Sequence, residues 1–127
     1  MTLNDEPLTI DYSDFVRRLA KPGQDILAGM TPEQANLMHM AIGIAEEAGE
    51  LLGAIKKHVI YGKPLDVANV IEELGDLFFY IEGMSQAVGV SRNHVLQQNV
   101  AKLAVRYESL QYSDQAAAAR ADKAGES

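Results

Sequence analysis

There is no cysteine among the 127 residues, which excludes disulfides and thiolate zinc sites. No apolar run approaches the roughly 18 residues that a bilayer-spanning helix needs. The N-terminus is acidic and has no apolar core segment, unlike a secretory signal peptide, so the expected location is cytoplasmic. Basic residues are scarce: 11 Lys and Arg stand against 18 Asp and Glu, a formal charge of -7. That balance disfavours a nucleic acid duplex or an anionic membrane as partner, because phosphate binding needs basic surface. It suits a cation, or a substrate carried in with cations. Strand-period alternation, internal repeats and linkers are also missing. The chain reads as one all-α domain over residues 1–127, long enough to bury a core.

Met1 to Ile10 reads as an irregular lead-in. Asp11 or Ser13 caps a first helix through Phe15, Val16 and Leu19, ended by Pro22-Gly23. Gln24 to Met30 looks like a short connector whose Ile26 and Leu27 tuck onto the core. Thr31-Pro32-Glu33 combines a capping hydroxyl, proline at the first position and an acid. It starts a helix running to about Tyr61, with Gly43, Gly49 and Gly53 as places for a bend. At roughly 100° per residue, Leu37, Ala41, Ile44, Ala48, Leu51 and Ile55 form an apolar stripe, with His39, Gly43, Glu46, Glu47, Glu50 and Lys57 on the other side.

Gly62 and Pro64 make the turn, and Asp66 caps a helix to about Val88 before Gly89. Its apolar stripe is Val67, Val70, Ile71, Leu74, Leu77, Phe78, Ile81 and Met84. Ser91 caps a fourth helix with Asn99, Lys102 and Arg106 on its polar side. Ser113 caps a last, alanine-rich helix holding Arg120 and Asp122, and Lys123 to Ser127 is expected to fray.

What is abundant is carboxylate at helical spacing: AEEAGE over Ala45 to Glu50 and IEELGD over Ile71 to Asp76. Two helices joined by one turn face each other, so both motifs come to one place. Each like-charged pair at about 4 Å costs on the order of 4 kcal/mol at an effective dielectric of 20, a cost that a hard divalent cation removes. Oxygen-only ligands point to Mg²⁺ or Mn²⁺ rather than zinc. A di-iron carboxylate bundle requires Glu-x-x-His, and none of His39, His58 and His94 has Glu three residues earlier.

Glu46-Glu47-x-x-Glu50, followed after 22 intervening residues by Glu73-x-x-Asp76, resembles the signature of the all-α nucleoside triphosphate pyrophosphohydrolases, the MazG-like superfamily. Asn99-x-x-Lys102-Leu103-x-x-Arg106-Tyr107 is similar to that family's downstream basic segment. Tyr112-Ser113-Asp114 with Ala116 and Arg120-x-Asp122 resembles the tail of bacterial and phage MazG-like proteins. The likeness spans about residues 31–122. It departs from the family where Glu108-Ser109-Leu110-Gln111 replaces the aromatic and glycine residues that often follow the Arg-Tyr pair.

The resemblance implies Mg²⁺-dependent hydrolysis of a (d)NTP between the α and β phosphates, giving the monophosphate and pyrophosphate. By motif position Glu47, Glu50, Glu73 and Asp76 are the implied metal ligands. Glu46 either binds a further ion or orients the attacking water as base, or else forms a salt bridge to Lys56 or Lys57. Lys102 and Arg106, with Arg120 and Lys57 behind them, are implied phosphate ligands, against a reading as ordinary solvated charges. Tyr80 either donates to a phosphate or is core surface. Asn99 touches phosphate or sugar, or makes a helix contact. His39 contacts the base, or packs under the first helix. Ala45, Leu52 and Phe79 lie off the main stripes and need cover, and the family implies a homodimer completing a four-helix bundle, or a homotetramer. A rival reading is a catalytically slow metal- or nucleotide-binding helical module acting through partners.

Overall fold

A computed structural model describes residues 6–123. Met1 to Asp5 of the lead-in and Ala124 to Ser127 of the tail lie outside the described residues. Six α-helices and one 3-10 turn are present, and no strand occurs among the described residues. The helices are α1 (Tyr12–Leu19), α2 (Gly23–Gly29), α3 (Pro32–Val59), α4 (Val67–Val88), α5 (Arg92–Arg106) and α6 (Asp114–Ala119), with the 3-10 turn at Ala121–Lys123.

Local chemistry explains the ends. Asp11, not Ser13, caps α1, its Oδ1 accepting from the Asp14 amide at 3.0 Å. Thr31 and Gln34 form a reciprocal capping box at the start of α3. Asp66, Ser91 and Ser113 cap α4, α5 and α6 through the amides of Asn69, His94 and Ala116. The left-handed φ values of Gly62 (66°) and Gly89 (72°) close α3's following turn and the end of α4.

Three expectations change. The stretch expected to be a connector is the helix α2, entered from Pro22 in extended conformation. Its Leu27 is 73% exposed, so it does not tuck onto a core within this chain. Arg120 and Asp122 fall outside α6, which ends at Ala119 with Arg120 in the left-handed region at φ 46°.

The centre of the fold is the α3–α4 hairpin. With 28 residues, α3 is about 42 Å long and continuous through all three glycines. The face it presents to α4 is not the apolar stripe. Gly43 and Ala54 are buried, Glu47 is half-buried, and on α4 Glu73 is buried with Leu77 and Tyr80 half-buried beside it. Gly43 and Glu47 therefore leave the polar side to which periodicity assigned them and enter the seam.

At roughly 100° per residue, the two apolar stripes fall on one side of that seam and form a single apolar face of the hairpin. Most of that face is open: Ile71 is 64% and Phe78 61% exposed. Leu52 and Phe79, off the stripes, are exposed as well. Ala54 is the one buried hydrophobic side chain among the described residues, so the core expected from chain length is not made within one copy.

The Tyr80 ring fills the space that a side chain on Gly43 would take, and the Met40 sulfur fills that of Gly83. Gly43→Ala is expected to lower the melting temperature, overpacking costing about 1–3 kcal/mol. At Gly49 nothing lies within 4 Å of the added carbon. Gly49→Ala should therefore raise the melting temperature through the roughly 0.8–1 kcal/mol helix preference of alanine over glycine. Thermal unfolding followed by circular dichroism checks both, and shifts of the same sign would contradict the Gly43–Tyr80 contact.

Candidate metal centre

The Gly43–Tyr80 and Met40–Gly83 contacts set an antiparallel register in which three residues back along α3 match three forward along α4. Four residues the other way, Glu47 comes opposite Asp76, and at seven Glu50 comes opposite Glu73. Ligand-capable atoms of Glu47, Glu73 and Asp76 lie within 4.8 Å of one another. Glu50 joins this group through its effect on Glu73. Glu73 is buried at 6% exposure, whereas Asp76 and Glu50 open to solvent on the edge opposite the apolar face.

The Glu73 carboxyl is pushed up to about 7. The largest cause is its contact with the Glu47 carboxyl, which becomes a hydrogen bond only when a proton is shared. Burial and the charge of Glu50 follow. Oε2 of Glu47 and Oε2 of Glu73 are buried with no hydrogen-bond partner among the described residues. Converging, oxygen-only and unsatisfied, these carboxylates fit a hard divalent cation, which would supply the positive charge that a shared proton otherwise provides.

The sign of the resulting pH dependence is the reverse of the usual carboxylate case. Glu73 binds its proton more tightly folded than unfolded, so its contribution to stability is complete below about pH 4.5 and is lost as pH rises through about 7. In metal-free buffer the melting temperature should fall over that interval relative to Glu73→Gln, in which the carboxyl cannot ionise. Parallel profiles of the two proteins would rule this out.

The other sequence-derived candidates are placed less uniformly. Glu46 is exposed and makes no ion pair with Lys56 or Lys57 among the described residues; Lys56 instead lies over the Tyr61 ring at 5.6 Å. Tyr80 packs in the seam, and His39 meets it edge-on at 6.1 Å. Lys57 is exposed on the last turn of α3. Asn99 and Lys102 are exposed on α5, whose main packing partners are α6 and the 3-10 turn rather than the hairpin.

Arg106 already has a partner. Its Nε and one terminal nitrogen donate to both Asp122 oxygens, at 2.7 and 3.2 Å, with the Asp122 side chain 2% exposed. Sequence reading missed this pair, because residues 16 apart on different elements share no local periodicity. Arg120 is exposed at the left-handed turn that delivers Asp122. One copy of the chain thus gathers the four acidic residues and the Tyr80–His39 pair, and does not bring the basic segment to them.

No curated protein and no solved structure matches this chain. A model of the MazG nucleotide pyrophosphohydrolase domain matches residues 35–110, which takes in both acidic motifs and the basic segment but not the Tyr112–Asp122 tail. Covering more than half of the sequence, and joined to an all-helical fold with converging carboxylates, this match shows that the chain belongs to the MazG nucleotide pyrophosphohydrolase domain family.

Proposed function

We propose that this chain is a single-domain, cytoplasmic, Mg²⁺-dependent nucleoside triphosphate pyrophosphohydrolase, with Mn²⁺ as substitute and a core over about residues 31–122. It would cleave a (d)NTP between the α and β phosphates to (d)NMP and pyrophosphate. The observation that carries the reading is the Glu47–Glu73–Asp76 convergence, with two buried unpartnered oxygens, in a chain of this family.

Glu47, Glu50, Glu73 and Asp76 would hold the ion, which when bound supplies Lewis-acid neutralisation of phosphate charge. Glu46 and Glu47 are the proposed catalytic carboxylates. Glu46, exposed and without a cationic partner among the described residues, would take the proton of an attacking water. Tyr80, whose ring packs in the seam, and His39 beside it would orient the nucleotide. Lys57, Asn99, Lys102, Arg106 and Arg120 are proposed phosphate and sugar ligands. Since the α5 residues do not lie on the hairpin of their own chain, a neighbouring subunit is the proposed source for them.

The open apolar face of α3 and α4 supports the same conclusion. It is proposed to pack on a second copy, giving a homodimer with a four-helix bundle, or a homotetramer built from two.

Pyrophosphate release over a panel of dNTPs, with and without millimolar Mg²⁺, tests the function. Turnover that requires the metal is expected, together with a metal-dependent rise in melting temperature from binding to the folded state. A protein that binds Mg²⁺ and nucleotide but releases no pyrophosphate would instead be the slow regulatory module.

A further inference from the structure

An open hollow of about 530 Å³ lies along the hairpin, lined by Asn36, Met40, Phe79, Glu82, Gly83 and Gln86. Its lining begins seven residues from Glu47 on α3, at Met40, and three from Asp76 on α4, at Phe79, while Glu82 and Gln86 stand six and ten residues from Asp76, about 9 and 15 Å along the helix. At roughly 100° per residue, Asp76, Phe79 and Gly83 on α4 fall together on one edge of the seam. The apolar face lies on the opposite edge. Tyr80 follows Phe79 on α4, and its ring meets His39, which stands between Asn36 and Met40 on α3, edge-on. The step from Asp76 to Glu82 is of the order of a sugar and its phosphate ester.

The hollow's polar atoms have a defined sense. Gln86 Nε2 donates to Glu82 Oε1 at 3.1 Å. A carboxylate offers only acceptors, so this bond fixes which end of the amide faces Glu82 and leaves Gln86 Oε1 for another donor. Glu82 keeps its second oxygen, also an acceptor. Phe79 is 67% exposed at the rim, a flat apolar ring open to stacking.

We propose that this hollow takes the nucleobase of a substrate whose phosphates lie at the carboxylate cluster. Glu82 and Gln86 favour bases with an exocyclic amine, as in cytosine and adenine, over uracil and thymine, whose O4 is an acceptor. The inference rests on the nucleotide reading above and adds the base and the direction in which the nucleotide lies. Phe79 stacks on the base, Gln86 and Glu82 accept from its amine, and Tyr80 and His39 flank the sugar.

The test is equilibrium binding of dCMP, dAMP, dUMP and dTMP to the full chain in Mg²⁺, by calorimetry. Wild type is compared with Gln86→Leu, Glu82→Gln and Phe79→Ala. Glu82 and Gln86 are exposed, so their variants keep the fold, which melting curves verify. About tenfold or greater preference for dCMP over dUMP is expected. Gln86→Leu and Glu82→Gln should bring that ratio toward one, and Phe79→Ala should weaken all four ligands alike.

A wild-type ratio within twofold of one overturns the proposal. So does a ratio that the Gln86 and Glu82 variants leave unchanged, or a change in sedimentation with no change in binding, which would mean that protein covers the hollow. Pyrophosphate release from dCTP, measured in parallel, separates the two readings. Discriminating binding without hydrolysis keeps the hollow and removes the hydrolase; hydrolysis without discrimination does the reverse.

Discussion

Asp76→Asn should reduce the turnover number for pyrophosphate release by roughly 10²–10³-fold, at any nucleotide concentration. The substitution keeps the shape of the side chain and removes one charged donor from a site where Glu47, Glu73 and Asp76 converge within 4.8 Å. Charge stabilisation by a metal site amounts to several kcal/mol in the transition state, and each 1.36 kcal/mol lost is tenfold in rate. Because the lost interaction grows as charge develops on the phosphates, turnover falls rather than affinity alone.

Lys102→Ala should show the other pattern, a raised KM with a smaller change in turnover, since a side chain that grips phosphate before and during reaction contributes uniform binding. Lys102 is a cleaner probe than Arg106, whose removal also strips the buried Asp122 of its counter-charge. Relief of carboxylate repulsion should make Asp76→Asn more stable than wild type in metal-free buffer, while abolishing its response to Mg²⁺. Near-normal turnover in Asp76→Asn, with an intact Mg²⁺ response, would remove this residue from the site.

Leu74→Asp should dissociate the assembly and lower the melting temperature by on the order of 10–20 °C. The contrast with a monomer makes the expectation sharp. In one copy Leu74 is 41% exposed, and only Ala54 is a buried hydrophobic among the described residues. A monomer would barely register an aspartate at Leu74. If the apolar face is covered by a second copy, the charge must be buried or the contact abandoned. Folding and association are then one equilibrium, so the wild-type melting temperature should rise with protein concentration. Sedimentation and melting curves over a hundredfold concentration range decide it. A wild-type monomer, or a Leu74→Asp protein of unchanged mass and stability, would refute the proposed interface.

Much of this architecture is written locally. Asp11, Thr31, Asp66, Ser91 and Ser113 each offer an oxygen to the amide three residues on, and Gly62 and Gly89 take the left-handed φ that other residues resist. Such choices depend on neighbours in sequence, so the helices and their starts are legible without a fold. Only weak local preference marked α2, where Pro22 and glycine at both ends masked a seven-residue helix. The paired acidic motifs were legible too, since two helices joined by one turn must run side by side.

What the sequence could not state is which face of each helix meets the other. Periodicity separates a greasy stripe from a polar one, and burial of apolar surface makes the greasy stripe the natural choice for the inside. The tertiary structure selects a different seam because Gly43 and Gly83 let Tyr80 and Met40 pack close against the opposing backbone. That choice turns Glu47 and Glu73 inward, leaves their oxygens unpartnered and raises the Glu73 carboxyl. It also sends both apolar stripes to one outer face. The sequence by itself determined the helices, the turn and the charge that the hairpin carries. Only the packing of one helix on the other decided that this charge is half-buried and that the apolar surface is left outside, because steric fit between distant residues has no local signature.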